Sequence, residues 1–201
     1  MVSIPSEGGV ERSLLSWLNG VGWETHGQDG GRGANVLNEA YERDSHEVIY
    51  WNLLAERVVE INEDVTEDNV ETFISSLRRE LDTDNLVDGN QDFYQLLTKG
   101  KTFSIQRQDG SSETVYVDLI DYENPENNRY HAVNQFSVSR ETTIRPDVNL
   151  FVNGIPLVTM ELKSLAQDND WHDAVSDLKD YEEDVPRLFV PGLFNIAADT
   201  M

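Results

Sequence analysis

The chain has 201 residues, 38% of them hydrophobic, enough for a substantial core, and it has no cysteine, which excludes disulfides and thiolate metal sites. Its 38 acidic against 15 basic residues give a formal charge of −23, the reverse of the basic balance that marks most nucleic-acid-binding surfaces. No apolar run approaches the roughly 18 residues of a membrane span, and the opening MVSIPSEGGVERSLL lacks the basic segment and apolar core of a secretory signal, so a cytoplasmic protein without a membrane partner is expected.

In chain order, Val10, Leu14, Leu15 and Leu18 form one stripe and predict a helix over 7–19. Gly27 to Gly33 is glycine-rich, but no apolar strand precedes it and no GK[ST] follows, so it reads as a flexible loop and not as a phosphate cradle. A second helix is expected over 45–61. Asp64-x-x-Glu67 resembles a capping box ahead of Val70, Phe73, Ile74, Leu77 and Leu81, the clearest amphipathic helix in the chain. A short helix follows near 91–98. From residue 100 the pattern becomes strand-like, at 101–107 and 114–121 around the turn Gln108 to Ser111, then 130–138, 147–152 and 155–163. A helix over 171–183, capped from Asp168-Asn169-Asp170, and a strand over 194–198 complete the plan. The four histidines His26, His46, His131 and His172 have no ligand-like spacing and read as structural or surface residues. The whole is expected to be one α/β domain over 1–201, with a mainly helical part over 1–99 and a sheet-rich part over 100–201.

The segment from Arg145 to Lys163, RPDVNLFVNGIPLVTMELK, carries the chemistry. Asn153-Gly154 is a hairpin signal, and Val148, Leu150 and Val152 alternate with polar Asp147 and Asn149 just as Val158, Met160 and Leu162 alternate with Thr159, Glu161 and Lys163. Each strand is therefore expected to have one buried face and one wet face. A two-residue loop would pair Val152 with Ile155 and Asp147 with Met160, mixing polar with apolar on each face. A three-residue loop, Val152-Asn153-Gly154 with a left-handed Gly154, pairs Phe151 with Ile155 and Asp147 with Thr159. Glu161 then lies diagonal to Asp147, and Lys163 lies beyond it on the same face, because a one-residue slip would expose the apolar set.

Two carboxylates so placed can hold a hard divalent cation such as Mg²⁺. A neighbouring lysine can orient or deprotonate a water, or neutralise charge developing on a phosphoryl oxygen. Phosphodiester hydrolysis needs these functions together. The triplet alone is a weak signal, since an ordinary exposed sheet face also carries Asp, Glu and Lys.

The wider text is more specific. DLIDYENPENNRYHAVNQFSV over 118–138 and RPDVNLFVNGIPLVTMELKS over 145–164, with Leu18 to Trp23 as Leu-x-x-x-Gly-Trp and the closing VPRLFVPGLFNIAAD, resemble the N-terminal nuclease domain of the R subunit of type I restriction-modification enzymes. That resemblance covers most of the chain. It implies the PD-(D/E)xK restriction-endonuclease-like fold, a mixed central sheet flanked by helices with a helical N-terminal part, and Mg²⁺-dependent cleavage of double-stranded DNA. Asp147 and Glu161 would bind the metal, the Leu162 carbonyl would add a ligand, and Lys163 would position the water. Glu11 matches a position where the superfamily often places a further acidic residue, although a solvated helix glutamate fits it equally well. Gln135 lies on a strand bordering the nuclease sheet, where an amide touches substrate or simply joins the strand edge.

One departure is visible. The family's Gln-x-x-x-Tyr on the next helix reads Asp177-Leu-Lys-Asp-Tyr181 here, so Tyr181 is kept and an acceptor-only carboxylate replaces an amide. The expected partners are double-stranded DNA and the methylation and specificity subunits of a restriction complex. ATP would enter only through a motor domain, whose GxxxxGK[ST] motif is absent before Met201, so the chain is expected to be a fragment, a truncated product or a subunit with its motor elsewhere. The abundant acid and the scarcity of lysine, only Lys99, Lys101, Lys163 and Lys179, read as halophilic adaptation. Acidity then reports habitat and not partner. Two rival readings remain, an acidic DNA mimic and a non-catalytic assembly module of a restriction system.

Overall fold

Strand alternation and helical stripes lead to a mixed α/β arrangement, seen in a computed structural model that describes residues 6–27, 33–83, 85–106, 110–164 and 170–199. Helix α1 (Glu7–Gly20) buries Glu11, Leu15 and Leu18 along one face. It is followed by β1 (Glu24–His26), α2 (Gly33–Ala40), α3 (Trp51–Ile61), α4 (Glu67–Glu80) and α5 (Leu86–Lys99). Next come β2 (Lys101–Gln106) and β3 (Ser112–Val117), which pair as a separate antiparallel ribbon. The remaining elements are β4 (Tyr130–Asn134), β5 (Val138–Ser139), β6 (Thr143–Ile144), β7 (Val148–Val152), β8 (Ile155–Leu162), α6 (Trp171–Asp184) and β9 (Phe194–Ala198).

The central sheet has the order β1-β4-β7-β8-β9. Its outer pairs, β1 with β4 and β8 with β9, are parallel, and its inner pairs are antiparallel. Helices flank it: α1 contacts β1, β4 and β8, α2 contacts β1 and β4, and α6 contacts β8 and β9. A mixed sheet bracketed in this way is consistent with a PD-(D/E)xK-like core. Tyr50, Phe136 and Phe151 form a fully buried aromatic cluster with centroids 5.0 to 5.8 Å apart, tying the start of α3 to the sheet. Among the described residues no helix is long and apolar enough to cross a membrane.

The hairpin differs from the expected register in an instructive way. Its loop is the two-residue Asn153-Gly154 turn, with Val152 paired to Ile155 and both turn residues at positive φ (53° and 84°). The mixing that this loop would cause is removed further along. Leu150 pairs with Val158 and Phe151 with Pro156, so Leu157 is an extra residue on β8. The bulge restores the parity that a third loop residue would have supplied. Asn149 faces Thr159 and Val148 faces Met160, and the same register carried one step further sets Asp147 beside Glu161, not beside Thr159. The expected wet face is also absent, since β7 and β8 are buried along their whole length.

Other boundaries moved for local reasons. β1 was not foreseen, because three residues are too short to show alternation. α2 begins at Gly33, the last glycine of the expected loop, where an added Cβ would lie 2.1 Å from the His26 carbonyl oxygen. Residues 28–32 of that loop lie outside the described ones, as do residue 107 of the expected 101–107 strand, 108 and 109 of the expected 108–111 turn, and Asp168 and Asn169 of the expected cap. α3 starts at Trp51 and not near 45, and α5 is longer than expected, starting after an Asn85 cap that accepts from the Asp88 amide at 3.2 Å. The capping box of α4 uses Thr66 and Asn69 instead of Asp64 and Glu67. The expected 130–138 strand stops at Asn134 because Gln135 turns left-handed (φ 55°).

Candidate metal centre

β7 and β8 deliver Asp147 and Glu161 from adjacent strand ends, and α1 brings Glu7 to them, so that carboxylate oxygens of all three lie within 4.8 Å of one another. Glu7 had no individual signal in the sequence. It precedes Glu11 by four residues and so shares its helix face, which is the clue that was available. Glu11 sits beside the cluster and is held by amides: Asn134 Nδ2 donates to it at 2.7 Å and Gln135 Nε2 at 3.0 Å. Gln135 Nε2 also lies 3.4 Å from Asp147 Oδ1, so this residue joins α1 to the carboxylate cluster. Its left-handed backbone is what turns it there.

The Leu162 amide donates to Asp147 Oδ2 at 2.8 Å, fixing the carboxylate. In an antiparallel ladder the N–H and C=O of one residue project toward the same neighbour. The Leu162 carbonyl therefore opens toward β7 as well. Lys163 Nζ donates to Glu161 Oε1 at 3.0 Å and to Asp177 Oδ2 at 2.5 Å, so Asp177, where the resemblance led to the expectation of a glutamine, engages the lysine directly. Tyr181, one turn after Asp177, packs against the core below it, and its hydroxyl pKa is pushed up to about 12 by burial and by Glu161 and Asp177.

Electrostatics disfavour negative charge on both strand carboxylates. Burial first, then Glu7 and Glu11, push Asp147 up to about 6 against the lowering effect of the Leu162 amide. Burial and then Asp147 push Glu161 up to about 7. Glu161 Oε2 is buried and has no hydrogen-bond partner. A carboxylate with an orphaned oxygen, gathered with two further carboxylates, fits a hard divalent ion, which would supply a positive partner to all three. Burial alone would lower the Lys163 pKa, but its hydrogen bonds to Asp177 and Glu161 together outweigh this and hold it above the ordinary lysine range. Lys163 is therefore an ammonium donor at neutral pH, not a proton acceptor.

Of the histidines, His46 Nδ1 meets the Ser139 carbonyl at 2.8 Å, and the exposed His172 pairs with Asp170 at the α6 cap, as structural and surface residues do. Asp170 is the cap itself, accepting from the His172 amide at 2.7 Å. His26 and His131 lie together, which sequence spacing could not reveal because strand pairing joins them.

Comparison with known proteins agrees with this architecture. The family model described as the type I restriction enzyme R protein N terminus matches residues 4–201. The type I restriction enzyme HindI endonuclease subunit of Haemophilus influenzae is 34% identical over 190 residues, covering 92% of this chain and 17% of that protein. A protein assigned as the type I restriction enzyme MjaIXP endonuclease subunit of Methanocaldococcus jannaschii is 28% identical over 185 residues, covering 90% of this chain and 17% of its own length. The chain thus spans about a sixth of the curated relatives it matches, and over nearly all of its own length it belongs to the family of type I restriction enzyme R protein N termini.

Proposed function

We propose that this chain is a Mg²⁺-dependent endonuclease domain acting in a type I restriction system, hydrolysing phosphodiester bonds of double-stranded DNA. The observation that carries the reading is the convergence of Asp147, Glu161 and Glu7, with one oxygen of Glu161 buried and unpartnered. Asp147 and Glu161 would hold the ion, with the Leu162 carbonyl and Glu7 as further donors and Glu11 acting one shell out through Gln135. Such an ion supplies Lewis-acid polarisation of a phosphoryl oxygen and acidifies a water.

The chain's own groups do the rest. Lys163, kept charged, donates to a water or to the phosphoryl oxygen on which negative charge grows, a stabilisation worth most in a dry site. Glu161 orients that ammonium by accepting from it at 3.0 Å. Asp177 competes for the same ammonium and adds negative charge where DNA would approach, while Tyr181 supports the α6 face. Double-stranded DNA is the substrate, the methylation and specificity subunits are the partners, and any ATP use belongs to the translocase of the family. The acidic surface is a halophilic adaptation that is screened at high salt.

The test is nicking of supercoiled plasmid with Mg²⁺ at about 1–2 M KCl, where the Debye length is near 3 Å. Cleavage should be abolished in Lys163→Ala and Asp147→Asn. Calorimetry with Mn²⁺ should show weaker binding in Asp147→Asn and Glu161→Gln. Metal-independent binding to a basic protein, indifferent to all three substitutions, would establish the DNA-mimic reading instead.

A further inference from the structure

We propose that Glu24, His26 and His131 form a second metal site, built for a borderline-soft divalent ion such as Zn²⁺ and clamping the edge strand β1 to β4. Glu24 and His26 are two apart on one strand and so share a face. The parallel register sets Glu24 directly opposite His131. Three residues of ligand chemistry from positions more than a hundred apart therefore meet on one patch of sheet, and one potential donor atom from each lies within 4.8 Å of the others.

The spacing has the size of a coordination sphere. His26 Nε2 is 3.5 Å from one Glu24 oxygen, and His131 Nε2 is 3.5 Å from the other. These separations are long for hydrogen bonds, whereas ligands at roughly 2.0–2.1 Å around a tetrahedral ion lie about 3.3 Å apart. The His26 imidazole finds no partner among the described residues for the nitrogen on this side. His26 Nε2, which lies 3.5 Å from Glu24, is buried and has no hydrogen-bond partner, and the His131 side chain, whose Nε2 lies at the same distance from Glu24, is only 3% exposed. Desolvation already disfavours their protonated forms, and neutral imidazole is the ligating form.

Donor type selects the ion. Two imidazoles and one carboxylate suit Zn²⁺ and its neighbours, while Mg²⁺ prefers oxygen throughout. Glu24 is 64% exposed on an edge strand, so solvent can complete a fourth position. The site is separate from the carboxylate cluster. His131 pairs with Phe151, four residues along β7 from Asp147, which is about 13 Å of strand.

The experiment titrates the 201-residue chain with Co²⁺, reading the visible bands of four-coordinate cobalt, then displaces it with Zn²⁺ in excess Mg²⁺. One saturable equivalent is expected, displaced by Zn²⁺ and retained in Asp147→Asn and in His172→Gln, a control for adventitious surface histidine. Binding should weaken at least tenfold in His26→Gln and in Glu24→Gln, both on the edge strand, with folding checked by circular dichroism. Zn²⁺ should raise the melting temperature of the parent chain but not of His26→Gln. Absence of saturable Co²⁺ binding, binding unchanged in His26→Gln, or binding lost in Asp147→Asn or His172→Gln would overturn the proposal.

Discussion

Lys163 has two carboxylate partners, and one of them, Asp177, lies on a different element from the other. Replacing Asp177 by Gln should release the ammonium from one ion pair and remove a negative charge, raising DNA affinity and Mg²⁺-dependent cleavage several-fold; plasmid nicking measures the second and fluorescence anisotropy the first. Unchanged or lower activity would show that the Asp177 pair positions Lys163 usefully. The buried acids give a pH prediction of definite sign. Asp147 and Glu161 titrate higher in the folded chain (about 6 and 7) than unfolded, so the native state holds more protons between pH 4 and 7. Their contribution to stability is fully present below pH 4 and is lost as pH rises through 7. Without divalent ions, Glu161→Gln should therefore stabilise the chain at pH 8, by on the order of 2 kcal/mol, and should be nearly neutral at pH 4. Urea titrations at both pH values in EDTA check this. Asp147, Glu161 and Lys163 were legible because strand parity alone puts them on one face. Glu7 and the Asp177 contact were not, since they depend on how α1 and α6 dock against the sheet.

At the scale of the element, the β7–β8 hairpin joins a fixed turn to a fixed face by way of a bulge. Parity in the sequence requires one extra residue but does not say where, because a third loop residue and a bulged Leu157 restore the same alternation. Deleting Leu157 should force either the turn or the segment from Thr159 to Lys163 out of register, with loss of cooperative unfolding or a fall of several kcal/mol in stability. A well-folded deletion with intact metal binding would show that the bulge is dispensable. Gly154→Ala should cost at least about 2 kcal/mol, since φ is 84° and the new Cβ would lie 2.7 Å from the Tyr50 carbonyl oxygen. Chemical denaturation measures both. The amphipathic helix α4 was plain from its stripe, whereas β1 and the kink at Gln135 come from packing and hydrogen bonding to distant residues.

For the whole molecule the governing quantity is the charge of −23. At 0.1 M salt the Debye length is about 10 Å and neighbouring carboxylates repel across the surface; near 1 M it is about 3 Å and the repulsion is largely screened. The melting temperature should therefore climb as KCl rises from 0.1 to about 2 M, and a flat or falling trend would contradict the halophilic reading. Fold class was accessible from the order of helical and strand patterns. The mixed pairing of the sheet was not, because parallel contacts such as β1 with β4 join segments remote in sequence and leave no local trace.

The Asn153-Gly154 turn is buried, unlike most hairpin tips. Asn153 is inaccessible to solvent; its amide donates to the Arg129 carbonyl at 2.9 Å, its side chain donates to the Leu119 carbonyl at 2.8 Å, and the Gly154 carbonyl accepts from the Tyr50 amide at 2.9 Å. A hairpin anchored at its tip cannot fray from there. Transient opening is therefore expected to start from the other end, where Asp147, Glu161 and Lys163 lie, and to be felt at the proposed metal site. Native-state hydrogen exchange should find the Asn153 amide among the slowest in the chain, exchanging only through global unfolding, with the Leu162 amide faster and slowed by added Mg²⁺.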